Sequence, residues 1–479
     1  MQDLAIRASI GPMTRISVGP VVGRVTNSSA RVLVEFDRAA DIIVTVRSSA
    51  GDDQSFSIAA TAHTPTVIEL EQLVVGRSYR VQCAVENGES RVATIRPIGP
   101  GAMRLATVSC YNFTQKLQSS AWDELAERAT SGTLDVVLHT GDQIYGDEVF
   151  RFWSAYLKKV PSRLRESFLP SICEAYRGLY RAAWNHRPVQ EVLRNASNLM
   201  LWDDHEVTDD FGDKQSFTDP NSTEHMVARC GWQVYREYQR ILWDENALDM
   251  PMPLGQHEGY LQTWGHTAAL FVDVRGGRAF EPFDRETATP NVSEPYLGHE
   301  QWQEIMDVLS PSSSRLRDVE NLLVICPVPL VFFPASLGRD VVVRAIADDL
   351  SGHWSHAPYR AEQHRLLSAL RNWQAFEPGR EVMLLGGDVH FGCEMSVFHE
   401  RDGATRVFRQ LVSSPVHRRS ENAHLVETLI VPHLTSPNAE RTTKPRDFHW
   451  KASKVTVRRN FGELTTARGE AITAGLVET

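Results

Sequence analysis

Four apolar runs in this chain end in side chains that bind metals or carry protons. MRLATVSC (103–110) closes on a thiol, LDVVLHTGDQIYGD (134–147) on carboxylates and a phenol, NLMLWDDHE (198–206) on carboxylates and an imidazole, and EVMLLGGDVHFG (381–392) on an aspartate and a histidine. Short apolar runs of this length predict strands buried on both faces. In open α/β sheets, ligand chemistry gathers outside the carboxyl ends of the strands, so four such endings can share one pocket. The pooled set is Cys110, Asp142, Tyr145, Asp204, His205, Asp388 and His390.

The chain of 479 residues is longer than one ordinary core and predicts two or three domains. Residues 16–98 hold short β-branched runs about ten residues apart, including ARVLVEF, DIIVTVRS and SYRVQCAVE, with no helical period. They predict a β-sandwich over residues 1–99. The stretch LEQLVVGRSYRVQCAV resembles the fibronectin type III or Ig-like pattern, in which Tyr79 would be the corner tyrosine; a plain core aromatic is the alternative. After the linker PIGPG (97–101), strands alternate with helices over 100–479. AWDELAERA (121–129) places Trp122, Leu125, Ala126 and Ala129 on one helical face. Asn221 and Glu224 resemble a capping box. The aromatic and arginine-rich segment 148–197 reads as inserted helices, with a lid as the functional alternative. Alternating sheet at both ends of this body predicts an α/β class: two mixed sheets packed face to face with helices outside.

A net charge of −10 argues against a broad nucleic-acid-binding face but not against a small phosphate substrate. No apolar stretch reaches the roughly 18 residues needed to cross a bilayer, so no membrane partner is expected. The N-terminus lacks a secretory pattern, which predicts a cytoplasmic protein, or a secreted or periplasmic one if the chain is a processed form. The six cysteines are scattered without C-x-x-C spacing and predict buried, reduced thiols.

Three aspartates and a thiolate in one pocket repel one another unless protons or multivalent cations intervene. Carboxylate, imidazole, phenolate and thiolate are all competent ligands, and the mixed set favours iron, manganese or zinc over magnesium alone. Asp388 and His390, two apart on a strand end, point to one face.

In order and form, SC, GDxxY, DDHE and GDVH resemble the motif set of the alkaline phosphatase D (PhoD-like) family in the calcineurin-like metallophosphoesterase superfamily. FVDVRGGR (271–278) and HWSHAPYRAEQHRLL (353–367) are similar to further family segments. The resemblance implies a four-layer α/β/β/α catalytic domain and hydrolysis of phosphate monoesters or diesters. It implies that Asp142 bridges two metals, with Cys110, Tyr145 and His390 on the first and Asp204 and Asp388 on the second. It implies ferric iron plus calcium, with zinc, manganese or magnesium as alternatives. A hydroxide between two cations is the nucleophile such a centre provides. His205 is the candidate general acid, with Glu206 orienting it. Arg275 and Arg278 are candidate phosphate clamps, a structural salt bridge being the alternative. His353 and His356 are candidates to line the pocket, solvent-facing loop histidines being the alternative. Two other readings of the same residues are a redox non-haem iron enzyme and a non-catalytic interaction protein. Composition leaves the oligomeric state open.

Overall fold

In the computed structural model, the described residues are 13–86, 88–117, 120–212, 214–248, 256–279, 293–332, 352–354, 356–400, 406–419, 428, 431–435, 442–443 and 445–479. Residues 16–95 form a sandwich of two antiparallel sheets. One has the order β1 (Ile16–Val25), β2 (Ala30–Phe36), β5 (Thr66–Leu70). The other runs β4 (Asp53–Ala60), β3 (Ala40–Ser48), β6 (Tyr79–Val85), β7 (Ser90–Ile95). In β3 the pleat shows directly: Ile42, Val44 and Val46 are buried and Ile43 is exposed. Tyr79 is buried, and its hydroxyl accepts the Val74 N–H at 2.9 Å, which is the corner arrangement rather than plain packing.

Every residue of β2 is buried, because its second face lies against the rest of the chain. Glu35 points to that side, where it pairs with Arg181 at 2.6 Å and takes the Tyr238 hydroxyl. Ser197 and Asn198 donate to the carbonyls of Gly23 and Val22, and the Trp264 indole donates to Val25. The sandwich is thus packed on the rest of the chain.

The body holds two sheets. The first runs β10 (Ser197–Leu201), β9 (Val136–Thr140), β8 (Met103–Val108), β18 (Asn460–Thr466), β19 (Thr473–Glu478), the first three parallel. The second has seven strands: β11 (Tyr260–Trp264), β12 (Thr267–Phe271), β13 (Asn321–Ile325), β14 (Glu381–Gly386), β16 (Arg406–Val412), β15 (Gly392–His399) and β17 (Phe448–Thr456). From β12 to β16 its neighbours are parallel.

Alternation along these strands builds the layers. Leu105, Val136, Leu138, Leu323, Ile325, Met383 and Leu385 share the core between the sheets. Their neighbours Ala106 and Val137 face the opposite way, onto α1 (Ser120–Ser131) and the helices that follow β9. Those are α2 (Asp147–Lys158), the single turn α3 (Ser162–Arg165), α4 (Leu169–Trp184) and α5 (Arg187–Asn195), joined by α6 (Thr223–Tyr238). On the far side, Leu322, Val324, Val382 and Leu384 pack on α7 (His299–Leu309) and α8 (Arg360–Phe376). The result is the expected α/β/β/α order.

One local expectation shifts. α6 is capped by Ser222, whose hydroxyl accepts the His225 N–H at 2.9 Å, so Asn221 lies one residue outside the cap. Segment 148–197 is helical, and α4 and α5 pack on the first sheet, which is the packing reading and not the lid. All six cysteines are buried.

Candidate metal centre

Because β8, β9, β10 and β14 all run the same way in their sheets, their carboxyl ends open at one edge. The backbone there is under strain. Of the seven non-glycine residues with positive φ among the described residues, four are Cys110 (58°), Asp142 (57°), Asp388 (64°) and His390 (56°). Such conformations cost energy for residues with a Cβ and persist where the surroundings enforce them, which marks functional sites. The glycines ahead of the two aspartates serve close approach: a Cβ on Gly141 would lie 2.4 Å from the Asp203 side chain, and one on Gly387 2.5 Å from that of Ser109.

Three donor groups converge, each with its ligand atoms within 4.8 Å of one another. They are Cys110, Asp142 and His390; Asp142, Asp204 and His205; and Asp203, Asp204 and Asp388. Asp142 belongs to two of them. Tyr145 joins the first, its hydroxyl donating to Asp142 Oδ2 at 3.3 Å. Every pooled residue therefore meets in one place.

The electrostatics are those of an anion-crowded site. Burial, followed by Asp203, Asp204, Glu206 and Asp388, pushes the Asp142 carboxyl well above the usual range. Burial and Asp142 do the same to the Cys110 thiol and the Tyr145 phenol. Asp388 is pushed up to about 6 by burial and by Asp204. His390 is driven well below its usual value by burial and by nearby Arg418. Asp142 Oδ1 and Asp203 Oδ2 are buried without a hydrogen-bond partner. Two orphaned carboxylate oxygens amid mixed O, N and S donors fit cations, which satisfy the oxygens and remove the repulsion together.

His205 stands differently. Its Nδ1 lies 2.9 Å from Asp147 Oδ2, and its ring packs on that of Tyr145 at 4.2 Å. Burial disfavours its charge, but Asp204 and Asp147 outweigh burial and hold its pKa up at about 10. Asp147 is thus the residue that orients it. Glu206, expected in that role, instead accepts the backbone N–H groups of Asp142, Gln143 and Asp203 and the Gln239 amide. It ties the GDxxY and DDHE turns together, and burial raises its pKa to about 7.

The two motif arginines have structural partners. Arg275 is buried, donates to Asp203 Oδ1 at 2.6 Å and lies 3.5 and 3.7 Å from Asp204 and Asp388. It is the internal counter-cation of the acidic group. Arg278 donates to the Tyr359 hydroxyl and lies over the Tyr296 and Tyr359 rings. Arg275 thus forms the salt bridge that is the alternative to a phosphate clamp, while Arg278 is held by tyrosines. The guanidinium among the donors is Arg418, with Nη1 3.0 Å from the Tyr145 hydroxyl, 2.8 Å from His390 Nε2 and 3.4 Å from His205 Nε2. His353 reaches the site, its Nε2 3.2 Å from Asp388 Oδ2, whereas His356 packs edge-on to Tyr359.

Sequence reading missed Asp203, Asp147 and Arg418. The first two sit inside motifs already singled out. Arg418 follows β16 in LVSSPVHRR, a fifth apolar run ending in polar residues, and the strand-end rule applies to it equally.

Residues 105–471 match the family model described as PhoD-like phosphatase. The chain belongs to the PhoD-like phosphatase family. Residues 13–93 match a second model, a domain of unknown function (DUF7800). Among solved structures, one of PhoD is similar with a TM-score of 0.65 at 14% identity, over 96% of this chain and 88% of that one. GAP50, described as the anchor in the inner membrane complex of Plasmodium, aligns at a TM-score of 0.36 and 10% identity over 79% of this chain and 85% of that one. An FN3 domain of human collagen XX aligns at 0.14 and 21% identity over 16% and 86%. No curated protein matches at the sequence level. Family membership makes this chain a phosphoester hydrolase of a metal-dependent group, with the four-layer fold and sandwich described above.

Proposed function

We propose that this PhoD-like phosphatase hydrolyses phosphate monoesters or diesters at a two-cation centre in which Asp142 is shared. The observation that carries the reading is the membership of Asp142 in both the Cys110/His390 group and the Asp204/His205 group, with one carboxylate oxygen unpartnered. Cys110, Tyr145 and His390 would complete one position, and Asp204 and Asp388 the other. Asp203 stands beside the second. Bound cations supply charge neutralisation to phosphoryl oxygens and acidify water at neutral pH. Ferric iron and calcium are the proposed pair, supported by the soft and phenolic donors on one side and carboxylates on the other.

The chain's own residues supply the rest. His205, held by Asp147 through Nδ1, presents Nε2 as the proton donor to a leaving oxygen. Arg418 lies beside that nitrogen and is placed to meet an anionic oxygen. Arg275 remains on the carboxylates behind the site. The division at residues 99 and 100 belongs to the same proposal, supported by family matches on either side of it. The test is elemental analysis of native protein, then aryl phosphate monoester and diester hydrolysis with metals removed and restored. Release of the aryl alcohol from either ester that tracks two metals per chain is the expected result; no hydrolysis of either ester at full occupancy rejects the proposal.

A further inference from the structure

We infer that the outer face of α2 and α3 is a docking surface for an anionic phospholipid membrane. The face turned to water on an amphipathic helix is ordinarily polar. On α2 it carries Phe152, 61% exposed, and Tyr156, 40% exposed, one turn apart with rings stacked at 6.1 Å; Leu164 on α3 is 48% exposed. Trp153 and Phe168 pack beneath Tyr156 and hold the rings outward.

Charge selects the occupant. The segment EVFRFWSAYLKKVPSRLRESF (148–168) has five basic and two acidic side chains, a surplus of three positive charges on a chain of net −10. Arg151, Lys159 and Arg163 are exposed beside the apolar residues. Aromatic side chains set among lysine and arginine are the composition of interfacial anchors, whose rings enter the headgroup boundary while the cations meet lipid phosphates. Such a contact requires no spanning segment, and no helix among the described residues is long and apolar enough to cross a membrane.

Placement gives the surface a consequence. α2 begins at Asp147, which holds His205, and Phe152 lies five residues on, about 7.5 Å along the helix axis. A docked molecule would bring the metal centre near the bilayer surface.

The experiment is co-sedimentation of the full chain with phosphatidylcholine vesicles, with and without phosphatidylglycerol, at low and high salt. Binding to the phosphatidylglycerol vesicles alone, weakened by salt, is expected. The double variant Phe152→Ser/Tyr156→Ser should bind at least about tenfold more weakly, as should Lys159→Glu/Arg163→Glu, with Tm unchanged because these side chains are exposed. Absence of wild-type binding, equal binding to both vesicle types, or equal binding by the variants overturns the inference. So does a wild-type dimer in gel filtration that Phe152→Ser/Tyr156→Ser converts to monomer, since the occupant is then a second copy. Ester hydrolysis is not measured, so the outcome is independent of the proposed activity.

Discussion

The two halves of the metal centre neutralise charge by different means. The half made by Asp203, Asp204 and Asp388 carries its counter-ion in the fold: Arg275, almost wholly buried, lies on its carboxylates, with the buried His353 ring 3.2 Å from Asp388. The half made by Cys110, Asp142, Tyr145 and His390 has no wholly buried arginine against it among the described residues. Arg418, half-buried on the loop after β16, touches it, and the His205 ring packs on its Tyr145. Its thiol, phenol and carboxyl are held toward their neutral forms by burial. The acidic half is therefore part of what holds the fold together, and the mixed half is a site first.

The largest expected effect comes at the residue common to both halves. Asp142→Asn should abolish ester hydrolysis and lower metal content at both positions, as read by elemental analysis; loss of one metal alone would separate the halves. His205→Ala should slow hydrolysis by roughly 10²- to 10⁴-fold with metal content unchanged. Full activity in that variant would remove His205 from the mechanism. Arg275→Gln strips the acidic half of its buried cation and should cost about 3–5 kcal/mol in metal-free urea unfolding, part of it regained when metal is added.

His139 probes the strand beneath the mixed half, where its ring meets Gln143 and Asn198. Burial lowers its pKa from 6.5 to about 4. The folded state thus binds fewer protons than the unfolded one in this interval. Its contribution is full above pH 6.5 and is lost as pH falls to about 4. His139→Gln should flatten that part of the acid unfolding profile, and an unchanged slope would assign it to other groups. Arg418→Gln should cost least, about 1 kcal/mol or less, in keeping with partial exposure. A loss equal to that of Arg275→Gln would erase the contrast between the halves.

Much of this was legible beforehand. β8, β9, β10 and β14 and every residue of the first ligand pool are visible as apolar runs with reactive ends, because period and punctuation are local properties. Glu206 was misread for the opposite reason. A glutamate beside a candidate acid looks like its partner, yet its carboxylate turns inward to the Asp142 and Gln143 amides, 64 and 63 residues away along the chain. Asp147 took the orienting role from 58 residues away. Arg275 and Arg278 share a motif but meet wholly different neighbours.

Sequence alone determined which strands exist, which faces they bury and which side chains crowd their ends, since each follows from spacing within about ten residues. The tertiary structure decided who partners whom: Arg275 with Asp203 across 72 residues, Arg418 with Tyr145 across 273. Those pairings depend on strand order and on the packing of one sheet against another, and a charged side chain meets whatever partner that packing brings within reach.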